Sequence, residues 1–187
     1  MEEILSHFQV LRLNLRFRLN KAGLLPAYKG SMLHGLMGQG LAHIDSRLYS
    51  ALYTQHDHQQ PKAYSIVCSD AKDHTPEGYI LNFELRLFGD AIQCSHTLIE
   101  SLQYAAQHYG IGPQRIKAKL ICLSSITNGK EVSGIQPIAL SRMLTNTQLQ
   151  PHECALALKS PLRLKHHARL FALPRLLICW SAASLAV

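Results

Sequence analysis

Strict alternation of apolar and polar residues marks several stretches of this chain. The first runs from Leu11 to Leu19, and the residues between its apolar positions are Arg12, Asn14, Arg16 and Arg18. Successive side chains of a β-strand point to opposite faces. The pattern therefore predicts a half-buried strand with a basic open face. Tyr79–Phe88 and Arg115–Leu123 alternate in the same way and predict two further strands.

Two other segments have helical spacing. A helix is predicted from Ser31, which can cap it, and its apolar stripe is Leu33, Leu36, Met37 and Leu41. Three glycines weaken this helix; they are Gly35, Gly38 and Gly40. We expect them to allow close approach to a neighbouring strand or to a ligand backbone. The strongest predicted helix is Ala91–His108, which Gly110 terminates.

With a short strand at Ala63–Cys68, the order of elements is β-α-β-β-α-β. This order is typical of an α+β, ferredoxin-like fold, a four-stranded antiparallel sheet with both helices on one face. We assign residues 1–128 to that domain and residues 129–151 to a linker. Residues 152–187 are predicted to be a partial second ferredoxin-like domain. Its elements are two strands, Glu153–Leu158 and Leu162–Leu170, and an apolar helix, Pro174–Val187.

Composition places the chain among compact proteins with a polyanionic partner. Of its 187 residues, 47% are hydrophobic and 17% charged, and the formal net charge is +7. The cysteine count is odd and no two cysteines form a CxxC pair, which argues against a disulfide framework and a zinc knuckle. We interpret them as free thiols in a reducing cytoplasm. The apolar run Leu176–Val187 is shorter than the roughly 20 residues that span a bilayer, and residues 1–8 lack the layout of a signal peptide.

Basic side chains are the clearest candidates for contacts with a nucleic acid. Those on the first and fourth strands are Arg12, Arg16, Arg18, Arg115, Lys117 and Lys119. We expect these two strands at opposite edges of the sheet, so that the cations flank one open face as a phosphate-binding surface. Lys29, in the loop before the first helix, is assigned to the same RNA-binding set. The alternative is that these charges protect edge strands from pairing.

Four segments, in this order and spacing, are similar to the CRISPR-associated repeat-RNA endoribonucleases of the RAMP superfamily. They are LPAYKGSMLHGLMG from Leu25, YILNFELRLFGDA from Tyr79, HYGIGPQRIKAKL from His108 and ALKSPLRLK from Ala157. The resemblance covers most of the chain and implies two ferredoxin-like domains in tandem. It also implies metal-independent cleavage without a cofactor: the ribose 2′-hydroxyl attacks the adjacent phosphate and leaves a 2′,3′-cyclic phosphate and a 5′-hydroxyl.

Such cleavage needs a base, an acid and a cation. In the family a tyrosine on the first helix joins a histidine and a lysine in the segment that follows. The resemblance places the His–Lys pair at His56 and Lys62, with His58 as a further catalytic candidate, in HDHQQPK. The tyrosine position falls near Gly38, which has no side chain. A polar loop is the alternative interpretation of HDHQQPK. We interpret His34 and His43 as structural histidines, with contact to RNA or a part in catalysis as the alternative.

Three functions remain open at this stage. The first is a repeat-RNA endoribonuclease, whose partner is CRISPR repeat RNA or the guide RNA made from it. The second is a non-catalytic RAMP subunit that binds guide RNA and other CRISPR-associated proteins. The third is a ferredoxin-like assembly module. No metal site is predicted, because no carboxylate or cysteine supports His56 and His58 or the pair His166-His167 at ligand spacing. We expect the apolar helix 176–187 to mediate a homodimer or to lower solubility.

Overall fold

The computed structural model describes residues 6–54, 62–144, 165–166 and 169–170. The chain divides into two compact units, Met1–Gln148 and Leu149–Val187. Several predictions fall outside the described residues. These are His56 and His58, the strand Glu153–Leu158 and the apolar helix Pro174–Val187.

An antiparallel sheet forms the base of the first unit. Its strands are β1 (Gln9–Leu19), β3 (Tyr64–Val67), β5 (Ile80–Phe88), β6 (Ala118–Thr127) and β7 (Lys130–Ser133). They lie in the order β3-β5-β1-β6-β7, and every neighbouring pair is antiparallel. A short strand, β8 (Ile138–Ala139), also pairs with β1. Two others, β2 (Gly23–Leu24) and β4 (His74–Thr75), form a separate two-stranded sheet.

Four helices lie in the described part of this unit: α1 (Gly30–Ile44), α2 (Ser46–Tyr49), α3 (Ser95–His108) and α4 (Leu140–Leu144). A π-helical turn, Ser50–Thr54, follows α2, and a 3₁₀ turn, Gly89–Cys94, precedes α3. The predicted α+β class is confirmed. The helix predicted from Ala91 is α-helical only from Ser95, because the 3₁₀ turn occupies its expected first turn.

The apolar positions of the strands and the apolar stripes of α1 and α3 form one core. Fully buried members include Leu13, Phe17, Leu33, Leu85 and Leu102. Burying a side chain of this size contributes roughly 1.5–3 kcal/mol. The alternate positions of β1 are polar, so α1 and α3 cover one face of the sheet and leave its other face to the polar side chains.

The glycines of α1 allow close packing, though not against a strand. A Cβ on Gly40 would overlap the backbone of Ser101 in α3, and one on Gly38 would lie 2.8 Å from the ring of Tyr53. The space around Gly35 is open. Gly40 therefore sets the contact between the two helices, and Gly38 makes room for an aromatic ring.

The expectation that the first and fourth strands lie at opposite edges is wrong. Strand β6 pairs directly with β1, from Leu13↔Ser125 to Leu19↔Ala118. The reason is the chain's path: β5 occupies one side of β1, and the chain returns through α3 to the other side. The basic residues of β1 and β6 are therefore neighbours rather than two flanks of a face.

The predicted linker from residue 129 is partly strand. Lys130–Ser133 pairs with β6 through a two-residue loop in which Asn128 (φ 50°) and Gly129 (φ 76°) both adopt positive φ. Asn-Gly is a strong signal for such a hairpin, and Ile138–Ala139 pairs with β1. The sheet thus extends past residue 128, and the compact unit runs to Gln148.

The second unit is described only as the antiparallel pair β9 (Lys165–His166) and β10 (Arg169–Leu170). The prediction of one continuous strand at Leu162–Leu170 is therefore wrong, because the stretch contains two short strands that pair with each other. Among the described residues of the chain, no helix has the length and apolar character needed to cross a membrane.

Candidate functional site

A histidine on α1 forms the centre of a polar cluster at the start of the edge strand β3. His34 follows the buried Leu33 in the helix and is half-buried. Three other side chains join it. Tyr64 is the first residue of β3, Lys62 lies two residues earlier, and Tyr53 comes from the π-helical turn. We call these four residues the His34 cluster.

Short contacts join the functional atoms of this cluster. Tyr64 Oη lies 2.7 Å from His34 Nε2, and Lys62 Nζ lies 3.1 Å from the same nitrogen. Lys62 Nζ and Tyr64 Oη are 3.4 Å apart. An ammonium group only donates hydrogen bonds. The lone pair of His34 therefore belongs to Nε2, and the ring proton to Nδ1.

Aromatic packing holds the imidazole in place. The His34 ring lies 4.7 Å from the Tyr53 ring and 5.9 Å from the Tyr64 ring, centroid to centroid. The hydroxyl of Tyr53 donates to the backbone oxygen of His34 at 2.8 Å. This ring packs where Gly38 has no side chain. The absent side chain at position 38 thus admits a tyrosine from elsewhere in the chain.

Burial and charge keep the histidine neutral. Burial lowers the pKa of His34, and the nearby charge of Lys62 lowers it further. Burial also lowers the pKa of Lys62 and raises the pKa of Tyr64. A neutral imidazole, an un-ionised phenol and an exposed ammonium meet within hydrogen-bond distance. Such a set can accept a proton, donate a proton and stabilise an anion.

Of the His–Lys pair predicted from HDHQQPK, the structure describes only the lysine. Lys62 belongs to the His34 cluster, whereas His56 and His58 lie outside the described residues. The sequence favours a structural role for His34 over a catalytic one, and it gives no signal for Tyr53 or Tyr64. The contacts between them are long-range, because α1 and β3 meet only in the folded chain. The one local signal was Gly38, a residue without a side chain at the position where the resemblance expects one.

Two carboxylates neutralise much of the open face of the sheet. Glu84 of β5 accepts hydrogen bonds from Arg12 Nε at 2.5 Å and from Arg86 Nε at 2.8 Å. Burial tends to raise the pKa of Glu84, but the hydrogen bonds from both arginines outweigh it and hold the pKa below its usual range. Glu131 of β7 accepts from Arg16 at 2.5 Å. Arg12 and Arg16, predicted to contact phosphates, are therefore already paired.

The other predicted RNA-binding residues lie in different environments. Lys29 is fully buried; its Nζ donates to the backbone oxygens of Asp70 and Lys72, at 3.0 and 2.7 Å. Its surroundings hold the ammonium inside the fold, where it does not face a phosphate. Lys117 donates to the backbone oxygen of His108 at the end of α3. Arg115 is exposed in the turn before β6 and adopts a positive φ of 49°.

Arg18 and Lys119 differ from the rest of the set. Both are exposed, and their Cα atoms are register partners on β1 and β6. Neither side chain forms an ion pair among the residues that the structure describes. The same described residues contain no group of three or more His, Cys, Asp or Glu side chains arranged for a metal ion.

Fold and cluster together define an α+β domain with a partly buried histidine–lysine–tyrosine site at one edge of an antiparallel sheet, in which Lys62 is exposed and Tyr64 is buried. Residues 8–153 match the family model AF_1859_N, described as an N-terminal domain. The match covers most of the chain, which therefore belongs to the AF_1859_N family. Among curated proteins none matches the chain.

Proposed function

We propose that this chain is a CRISPR-associated RNA-binding protein of the RAMP superfamily that cuts repeat RNA without a metal ion. The sheet order supports a ferredoxin-like fold: with β1, β3, β5 and β6 as its four strands, the order is second-third-first-fourth, as expected for a β-α-β-β-α-β chain. The observation that carries the proposed chemistry is the contact of Tyr64 and Lys62 with Nε2 of His34. The half-buried thiols Cys68, Cys94 and Cys122 are free, which supports a cytoplasmic location.

Each member of the site has a role in the proposed cleavage. Neutral His34 accepts the proton of the ribose 2′-hydroxyl through Nε2, as that oxygen forms its bond to phosphorus. The bond from phosphorus to the 5′-oxygen breaks, and Tyr64 donates its proton to the departing oxygen. The imidazolium then returns a proton to the phenolate across their 2.7 Å contact. Lys62 stabilises the extra negative charge on the phosphate.

Cleavage of the protein's own repeat RNA in EDTA tests this proposal. We expect one cut, with a 2′,3′-cyclic phosphate product. His34→Ala is expected to slow it by about 10²–10⁴-fold, the usual contribution of a positioned acid or base. His43→Ala is the matched control, since His43 is on the same helix but stacks on Tyr104 at 4.3 Å. Equal rates for both variants would contradict the assignment, and loss of cleavage only in His56→Ala would move the site to HDHQQPK.

A non-catalytic RNA-binding subunit is the second candidate function. The unpaired Arg18 and Lys119 favour it, because they can bind phosphates whether or not the His34 cluster is active. Tight, salt-sensitive binding of repeat RNA without any cut in EDTA would support this candidate over the first. Absence of RNA binding at low salt would contradict both.

A further inference from the structure

The open face of the sheet carries two kinds of cation. Those near its middle are satisfied within the protein, since Arg12 and Arg86 share Glu84 and Arg16 pairs with Glu131. At the end of β1 the situation changes. Arg18 and Lys119 stand beside each other without a carboxylate partner in the described residues. Attraction for an external anion is therefore concentrated at this end of the sheet.

The register of the two strands makes this pair unfavourable in the free protein. Directly opposite residues of antiparallel strands have Cβ atoms about 4.5–5.5 Å apart, and like charges at that spacing destabilise the sheet. An anion placed between Arg18 and Lys119 removes this repulsion. The arrangement therefore disfavours an empty surface and favours an occupied one.

A groove surrounds the pair. Among the described residues, its polar lining consists of Arg18, Asn20, Gln107, Lys117 and Lys119 and contains no carboxylate. Its apolar lining includes Ile121, whose side chain is 38% exposed. Strand β7 pairs with β6 only from Ser124 onward, so no strand in the described part of the chain covers the edge of β6 here. The cations can bind phosphates, and the amides can bond ribose hydroxyls. The apolar side chain can pack against an unpaired base.

We propose that this groove binds the backbone of single-stranded RNA at a site distinct from the His34 cluster. The proposal rests on the RNA-binding function put forward above and extends it to a second contact region. Amides beside the cations favour a sugar–phosphate chain over an acidic protein segment, because amides bond both phosphate oxygens and ribose hydroxyls.

The strand register separates the two sites. Tyr64 pairs with Leu87, which pairs with Leu11, whereas Lys119 pairs with Arg18 at the other end of β1. Three strand spacings of about 4.8 Å and seven residues of about 3.3 Å give a diagonal of roughly 27 Å. At about 3.4 Å per nucleotide of a stacked strand, that distance corresponds to roughly eight nucleotides. A stacked strand shorter than this does not reach from one site to the other.

Salt-dependent binding tests the groove. The probe is a fluorescein-labelled oligouridine RNA of about 16 nucleotides, and binding is followed by fluorescence anisotropy in EDTA. The variant Arg18→Gln/Lys119→Gln removes the unpaired cations. The control Arg16→Gln/Arg86→Gln removes two partly exposed cations that are already paired. Both variants lower the formal charge of +7 by two, so the long-range field changes equally.

Loss of two phosphate contacts on a single strand lowers the slope of log K against log salt by about 1.4. Between about 50 and about 200 mM salt, the unaltered protein should therefore lose about sevenfold more affinity than the Arg18/Lys119 variant. The control variant should keep the original slope. Equal slopes in the two variants would overturn the proposal, as would binding of polyglutamate as tight as that of the RNA.

The experiment separates this proposal from the proposed cleavage. Binding in EDTA does not require cleavage. If the protein binds oligouridine through the groove but never cuts repeat RNA, the groove proposal stands and the nuclease proposal fails. If cleavage does occur, the Arg18/Lys119 variant should raise KM for long repeat RNA and leave kcat unchanged. A fall in kcat with unchanged KM would contradict a binding role. Circular dichroism of both variants checks that the fold is intact.

Discussion

Replacement of Gly40 by alanine should destabilise the protein through the contact between α1 and α3. An added Cβ would lie 2.9 Å from the Ser101 Cα and closer still to its carbonyl group. Non-bonded carbon atoms pack best at about 3.5–4.0 Å. The obstacle is backbone in the middle of a helix, so it cannot rotate away, and the two helices must separate by on the order of 1 Å.

The magnitude follows from two opposing terms. Overpacking of a well-packed core costs about 1–3 kcal/mol, while alanine is better than glycine in a helix by about 1 kcal/mol. Gly35→Ala is the matched control: it lies in the same helix, with nothing within 4 Å of the added Cβ. Both variants gain the helix term. The difference between their free energies of unfolding, about 1–3 kcal/mol, therefore isolates the overpacking.

Urea unfolding followed by circular dichroism measures both variants. We expect Gly35→Ala to unfold at a higher urea concentration than the unaltered protein, and Gly40→Ala at a lower one. The m-values should agree, so that the midpoints report stability. If Gly40→Ala is as stable as Gly35→Ala, the helices do not meet at Ser101 as described, and the reasoning fails.

Three further predictions concern charged and titrating groups. Lys29→Met should lower the free energy of unfolding in urea by about 1.5–3 kcal/mol, since two backbone oxygens lose a charged donor; an unchanged urea midpoint would contradict the buried position. The pKa of Glu84 is lower in the folded protein than its ordinary value of 4.5, so its stabilisation is present above that pH and is lost as the pH falls through the folded pKa. Acidification should therefore destabilise Glu84→Gln less than the unaltered protein in pH-dependent thermal unfolding, and equal losses would argue against the ion pairs. In a profile of kcat/KM against pH, the acid limb should lie below pH 6.5, the ordinary pKa of histidine. Lys62→Gln should move this limb to higher pH, because it removes a positive charge next to His34. A move to lower pH would exclude His34 as the base.

Periodicity in the sequence was sufficient for the elements that have one apolar face. Strand β1, strand β5 and helix α3 each repeat their apolar residues at the spacing of a single regular structure. Short elements carry no such repeat. The two-residue strand β8 is stabilised by pairing with β1, which depends on residues more than a hundred positions earlier. Only the Asn128-Gly129 loop left a local signal that could have revealed β7.

Charge was harder to interpret than hydrophobicity. The sequence alone does not show whether the partner of a basic residue is a phosphate, a carboxylate of the same sheet or a buried backbone oxygen. Arg16 is paired with Glu131 and Lys29 is buried against the loop after β3, whereas Arg18 has no ion-pair partner among the described residues. Strand neighbours decide between them, and those neighbours come from distant parts of the chain. The His34 cluster escaped prediction for the same reason.

The central place of β1 in the sheet has a consequence for how the protein is made. This strand leaves the ribosome well before its partners β5 and β6, which come later in the chain. A domain emerging at about 5–20 residues per second leaves an apolar strand unpaired for several seconds. During that time only local elements, α1 above all, can shield it. The alternating arginines of β1 give the unpaired strand a positive charge, which disfavours its association with other nascent chains.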